Sequence, residues 1–149
     1  MNKTEFVEFL NSLFTPYLFT RKGHRWRYTN NGLTKTIKLT KSYYSNSYYV
    51  NYGYIIQKLE LGGFEMHIFN GLSSMENEEN ATIMEILDLD TPIADIVRKE
   101  KLARFINKEI LDEFNNINNE NDLLVSLMER PNLNDVPLCV KQYFQIPIE

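Results

Sequence analysis

In separate runs between His24 and Phe69 the chain alternates in polarity, and a period of two is the pattern a half-buried β-strand imposes. His24, Trp26 and Tyr28 alternate with Arg25, Arg27 and Thr29. After Asn30-Asn31-Gly32, residues Leu33, Ile37 and Leu39 alternate with Thr34, Thr36, Lys38 and Thr40. Asn-Gly between alternating runs is the strongest short-range hairpin signal, because both central residues of the favoured two-residue turn need positive φ. A third strand is expected from Tyr48 to Gln57, with Val50, Tyr52, Tyr54 and Ile56 inward and Tyr49, Asn51, Gly53 and Gln57 outward. Beyond Gly62-Gly63 a fourth is expected, with Phe64, Met66 and Ile68 inward and Glu65, His67 and Phe69 outward.

The ends of the chain change period. Phe6, Val7, Leu10, Leu13 and Phe14 recur at helical spacing, with Asn2 and Glu5 placed as a capping box and Pro16 closing the helix. Ser73 to Thr82 reads as a polar, acidic loop, and Ile83 to Leu89 fits either a short edge strand or a helical turn. Thr91-Pro92 is a helix start, and Ile93, Ile96, Val97, Leu102, Phe105, Ile106, Ile110, Phe114 and Ile117 make an apolar stripe, with a break expected near Lys99 to Lys101. The Asn-rich run from Asn115 to Asn121 ends that stripe. Asn121 or Asp122 then caps a helix carrying Leu123, Leu124, Leu127 and Met128, and Asp135-Val136-Pro137 opens a last one.

A one-sided antiparallel sheet needs a cover, and amphipathic helices from both ends of the chain supply it. The fold class is therefore α+β, a two-layer domain over residues 1–149, with a four- to five-stranded antiparallel meander and helices on one face. The other face stays open and presents Arg25, Arg27, Lys38, Thr40, Tyr49, Asn51, Gln57, His67 and Phe69. Of these, Arg25, Arg27, Tyr49, Asn51 and His67 are the candidate binding face.

Chemistry-bearing motifs are sparse. The chain has no glycine-rich phosphate loop, no His-Glu-x-x-His and no Cys-x-x-Cys, so no catalytic residue, cofactor or metal is assigned. Cys139 is the single cysteine, which excludes an intramolecular disulfide and suits a reducing compartment. Met1 to Phe6 turns polar and acidic where a signal peptide would be apolar, and no run of about 18 apolar residues occurs, so a cytoplasmic protein without a membrane span is expected. Asp88-Leu89-Asp90 has carboxylate spacing for a cation, but acids before Thr91-Pro92 are better explained by the helix start.

Charge is unevenly spread. Up to Lys58 nine Lys/Arg face two Asp/Glu, and from Leu59 onward seven face eighteen, within a total of −4. Arg21 to Arg27 gathers cations around Trp26, as a nucleic-acid stacking site would, yet the alternation buries Trp26 and the acidic balance disfavours nucleic acid. Tyr43-Tyr44 and Tyr48-Tyr49, around Ser45-Asn46-Ser47, are of the kind used at protein interfaces.

Lys41-Ser42, then Tyr48-Tyr49-Val50-Asn51-Tyr52-Gly53-Tyr54-Ile55-Ile56, then His67-Ile68 and Gly71-Leu72, resemble the bacterial family catalogued as domain of unknown function 4304. The resemblance implies the same order of parts: an N-terminal helix, a Lys/Arg-rich strand pair, the tyrosine-rich strand and a helical C-terminal half. That family carries no settled activity. The expected function is a non-enzymatic module whose partner is another protein, with an immunity-type inhibitor of a toxin as its specific form, docking through acids around Glu76 to Glu79 and Asp112-Glu113. The competing expectation is a small-ligand or anion site, or an enzyme, on the open face.

Overall fold

The computed structural model describes residues 1–148. Among these, α1 (Lys3–Phe14) leads into a meander of β1 (Thr20–Lys22), β2 (Arg25–Asn30), β3 (Leu33–Lys41), β4 (Tyr48–Ile56) and β5 (Ile68–Gly71), paired antiparallel in chain order. Helices α2 (Asn77–Ile86), α3 (Asp95–Ile106), α4 (Asp112–Asn116), α5 (Glu120–Met128) and α6 (Leu138–Tyr143) follow, and a π-helical turn, Asn107–Leu111, joins α3 to α4. This is the expected α+β meander, extended at one edge by β1.

The local rules operate as the residues dictate. Asn2 accepts the Glu5 amide at 2.8 Å while Glu5 returns the bond, closing the capping box of α1. Asn31 and Gly32 hold φ of 51° and 81°, the positive pair that a two-residue hairpin demands. The register pairs Trp26 with Ile37 and Ile37 with Tyr52, so these side chains share the inner face. Trp26 is wholly buried against Phe14, at 5.2 Å between centroids, and donates its indole N–H to Asn11 Oδ1 at 3.0 Å. Truncating such a core ring costs about 3–5 kcal/mol. Phe114 packs edge-on against Tyr52 and Tyr54, which ties the C-terminal helices to the same face.

Four expectations about the helices are corrected. Asn77 to Thr82 form the first turns of α2 and are not loop; Ser74 fixes that start by exchanging two 2.8 Å bonds with the Asn80 side chain and giving its hydroxyl to Glu79. Ile83 to Ile86 are therefore helical. Thr91-Pro92 does not begin α3, which starts at Asp95 after Ala94, because the Thr91 carbonyl is already taken by Arg98 Nη2 at 2.8 Å and by the Ile93 amide. No break falls at Lys99 to Lys101; the irregularity lies at the π-turn. The cap of α5 is Asn119, whose side chain accepts the Asp122 amide at 2.8 Å.

The fourth expected strand is shorter than its alternation suggested. Residues 57–67 form a connection that crosses the outer face before β5 begins at Ile68, tied to the sheet at its ends by the Gln57 amide on the Gly32 carbonyl and the His67 amide on the Tyr54 carbonyl, each at 2.9 Å. Met66 is buried there: its sulfur lies 2.9 Å from where a Gly53 Cβ would stand. Phe64, expected inside, is half exposed.

Candidate binding face

The pairing places Arg25 opposite Lys38 and Lys38 opposite Asn51, and Arg27 opposite Thr36, so the outward residues of β2, β3 and β4 stand in rows on the face away from the helices. Thr20 and Lys22 of β1 join through Arg27 and Arg25. Where the 57–67 segment crosses, Thr34, Thr36 and Ile55 are buried. The face is thus open at two sides and roofed between them.

On the β1–β3 side, a depression of about 750 Å³ is lined by Lys22, Arg25, Arg27 and Lys38 with Thr20, Gly23, His24 and Leu39. The edge of the roof reaches it through Glu65, whose Oε1 accepts from Arg25 Nη2 at 2.8 Å and from Lys38 Nζ at 2.8 Å. The Lys38 hydrogen bond, then the charges of Lys38, Arg25 and Arg27, hold the Glu65 carboxyl below the usual carboxylate range against a smaller opposing effect of burial. Partial burial lowers His24 from its ordinary value, helped by the charges of Lys3 and Arg21. Cations crowded on one low-dielectric wall focus potential and draw anions toward it.

On the β4–β5 side, Tyr49 and Phe69 are about half exposed, with Asn51 half-buried between their strands. Tyr43 and Tyr44 are 98% and 97% exposed, because 42–47 is loop and lies outside the alternation that buries Tyr48.

Of the candidate residues, Arg25, Arg27, Tyr49 and Asn51 occupy the outer face as expected, with the arginines on one side of the roof and Tyr49 and Asn51 on the other. His67 does not. It is 1% exposed; Nδ1 accepts the Ile56 amide at 2.8 Å, so the proton sits on Nε2, which donates to the Glu60 carbonyl at 2.9 Å. The ring takes the place of a β-ladder partner at the end of β4, and it is unavailable to a ligand. Lys22 stood only in the cation run Arg21 to Arg27 and not on the expected face, because β1 has only three residues and no apolar repeat; the role of Glu65 was missed because it depends on a loop folding back over the sheet. The stacking reading of Arg21 to Arg27 fails, since Trp26 lies in the core and Arg21 pairs with Glu8 at 2.8 Å.

The acidic residues divide. Glu76, Glu78 and Asp112 are exposed, whereas Glu79 is held by Ser74 and by Lys108 at 2.9 Å. Glu113 turns inward, accepting from the Tyr54 hydroxyl at 2.9 Å. Asp88 accepts the Asp90 amide at 3.0 Å and Asp90 accepts from Asn46 at 3.3 Å, so both carboxylates brace a turn.

An α+β meander with helices on one face and a partly roofed basic face on the other defines a small single-sheet module. The chain belongs to the family described as Domain of unknown function (DUF4304), whose model matches residues 10–127 of the 149. No curated protein and no solved structure matches the chain. Among the described residues no helix is long and apolar enough to cross a membrane.

Proposed function

We propose that this is a bacterial, cytoplasmic, non-enzymatic binding module that recognises another protein through the outer face of its sheet. The observation that carries the reading is the composition of that face: Arg25, Arg27, Tyr49 and Phe69 stand exposed on a rigid ladder. Arginine and large aromatics are the residues that dominate protein interfaces, and strands hold them at fixed spacing. Lys22, Arg25, Arg27 and Lys38 against Glu65 make the β1–β3 side basic, so the partner surface it fits is acidic there.

The specific form of this reading is an immunity-type inhibitor that masks a toxin's active site. The route through acidic residues is the weaker of the two, because Glu79 and Glu113 are already engaged within the molecule and leave Glu76, Glu78 and Asp112. The basic face supplies the better docking surface. The test is to co-express the chain with the toxin-like product of an adjacent reading frame and follow the pair by size-exclusion chromatography. A stoichiometric complex that Arg27→Glu with Tyr49→Ala dissolves supports the reading; its persistence in that variant places the contact elsewhere, and the lack of any complex removes the immunity form.

A small-anion site is favoured as the second reading by one observation, the depression of about 750 Å³ among four cationic side chains.

A further inference from the structure

We infer that the depression between β1, β2 and β3 is a site for a small phosphate-bearing molecule of two or more negative charges, and that Glu65 is its built-in competitor. The first support is the stoichiometry of charge. Lys22, Arg25, Arg27 and Lys38 line the cavity, and the single carboxylate of Glu65 bridges two of them, both at 2.8 Å. Lys22 and Arg27 have no ion-pair partner among the described residues. One negative charge thus answers four positive ones, and a dianion or trianion gains more from the same wall than the carboxylate does.

The second support is what Glu65 already demonstrates. Its Oε1 sits where a guanidinium and an ammonium converge, which makes it an internal mimic of an anionic oxygen at that point. Glu65 is 40% exposed and belongs to the 57–67 connection outside the sheet ladder, so displacing it breaks two surface ion pairs and no strand pairing. Phosphate oxygens suit the arginine fork better than a carboxylate held by one oxygen.

The third is size. About 750 Å³ lies within the 300–1,000 Å³ usual for small-molecule sites and exceeds what inorganic phosphate fills, and the half-buried His24 lines the same depression. Burial favours the neutral form of His24, which suits contact with an uncharged group.

This inference rests on the outer face being the recognition surface, and the two fail separately. The experiment is calorimetric titration of the full chain with pyrophosphate at constant ionic strength, on the wild type, Glu65→Gln, Arg25→Ala and Glu76→Gln, each checked for an unchanged unfolding midpoint. Expected are saturable binding by the wild type, roughly three- to tenfold tighter binding by Glu65→Gln, at least tenfold weaker binding by Arg25→Ala and no change in Glu76→Gln. Glu76→Gln changes net charge equally at an exposed position of the acidic segment, so equal tightening by both variants reduces the effect to diffuse electrostatics and overturns the site. No saturable binding by either the wild type or Glu65→Gln overturns it as well. A phosphoserine peptide bound tenfold more tightly than pyrophosphate would assign the site to a modified protein and overturn the small-molecule form. Pyrophosphate binding without any complex with the toxin-like product retains this site and removes the immunity form of the protein-binding reading; a complex sensitive to Arg27 without pyrophosphate binding retains that reading and removes this site.

Discussion

The imidazole Nδ1 of His67 accepts the backbone N–H of Ile56 at 2.8 Å, where β4 runs out of strand partners. Nε2 simultaneously secures the Glu60 carbonyl, so one buried ring satisfies the end of β4 and pins the segment that roofs the outer face. Replacing it by alanine strands a buried amide, which costs about 1–3 kcal/mol, and adds a cavity. His67→Ala is expected to lower stability by roughly 2–4 kcal/mol in urea unfolding. If ligand or partner binding were lost while the unfolding midpoint stayed unchanged, His67 would be a contact residue after all.

Gly53 stands opposite Phe69, and a side chain there would begin 1.7 Å from the Ile68 carbonyl oxygen and 2.9 Å from the Met66 sulfur. The sulfur could swing aside; the strand backbone could not. Gly53→Ala is expected to detach β5 from β4 and to cost more than about 3 kcal/mol, read as accelerated amide exchange over Ile68 to Gly71. Protection equal to wild type would show that β5 does not lean over Gly53 in solution.

These two positions mark where the sequence stops being legible. Alternation identifies the inner and outer rows of β2, β3 and β4 because every residue there is held in a ladder, and Trp26, Ile37 and Tyr52 obey it. It misleads at Phe64 and His67, which keep the period of two but belong to the connection before β5, where burial depends on what that connection crosses. Asn77 to Thr82 failed for a different reason: the turn is fixed by Ser74, Glu79 and Asn80 bonding one another, and no apolar repeat records that. The candidate face was half visible. Arg25 and Arg27 follow from parity, while Lys22 and Glu65 reach the same depression only through tertiary structure.

Arg98 is a charge whose role no local pattern discloses. It is 2% exposed, and its Nη1 donates to the carbonyls of Ile86 at 2.6 Å and Asp88 at 3.0 Å, with Nη2 on Thr91 at 2.8 Å. These carbonyls lie at the C-terminal end of α2 and in the turn after it, where the helix dipole also favours a cation; those of Asp88 and Thr91 accept in addition the Thr91 and Ile93 amides. Arg98→Met is expected to destabilise by about 3–5 kcal/mol, and Arg98→Lys by less but still measurably, since an ammonium lacks the planar fork. Denaturant unfolding of the two variants decides this; a Met variant as stable as wild type would mean that the carbonyls find water instead.

Glu113 provides the pH-dependent prediction. Burial raises its carboxyl above the ordinary value, reinforced by the Glu109 charge and opposed by the Tyr54 hydrogen bond and Arg130. The native state therefore holds a proton that the unfolded chain has released, over the interval between the unfolded value near about 4.3 and the higher native one. Its contribution to stability is fully present below the unfolded value and is lost as pH rises through the native one. Glu113→Gln keeps an acceptor for the Tyr54 hydroxyl, 2.9 Å from Oε2 in the native protein, and cannot titrate. Relative to wild type, the variant should gain stability as pH climbs from about 4 toward 7, measured by urea unfolding at a series of pH values. A difference that stays flat across that range, or moves in favour of the wild type, would place the carboxylate in water and not against the Tyr54 hydroxyl.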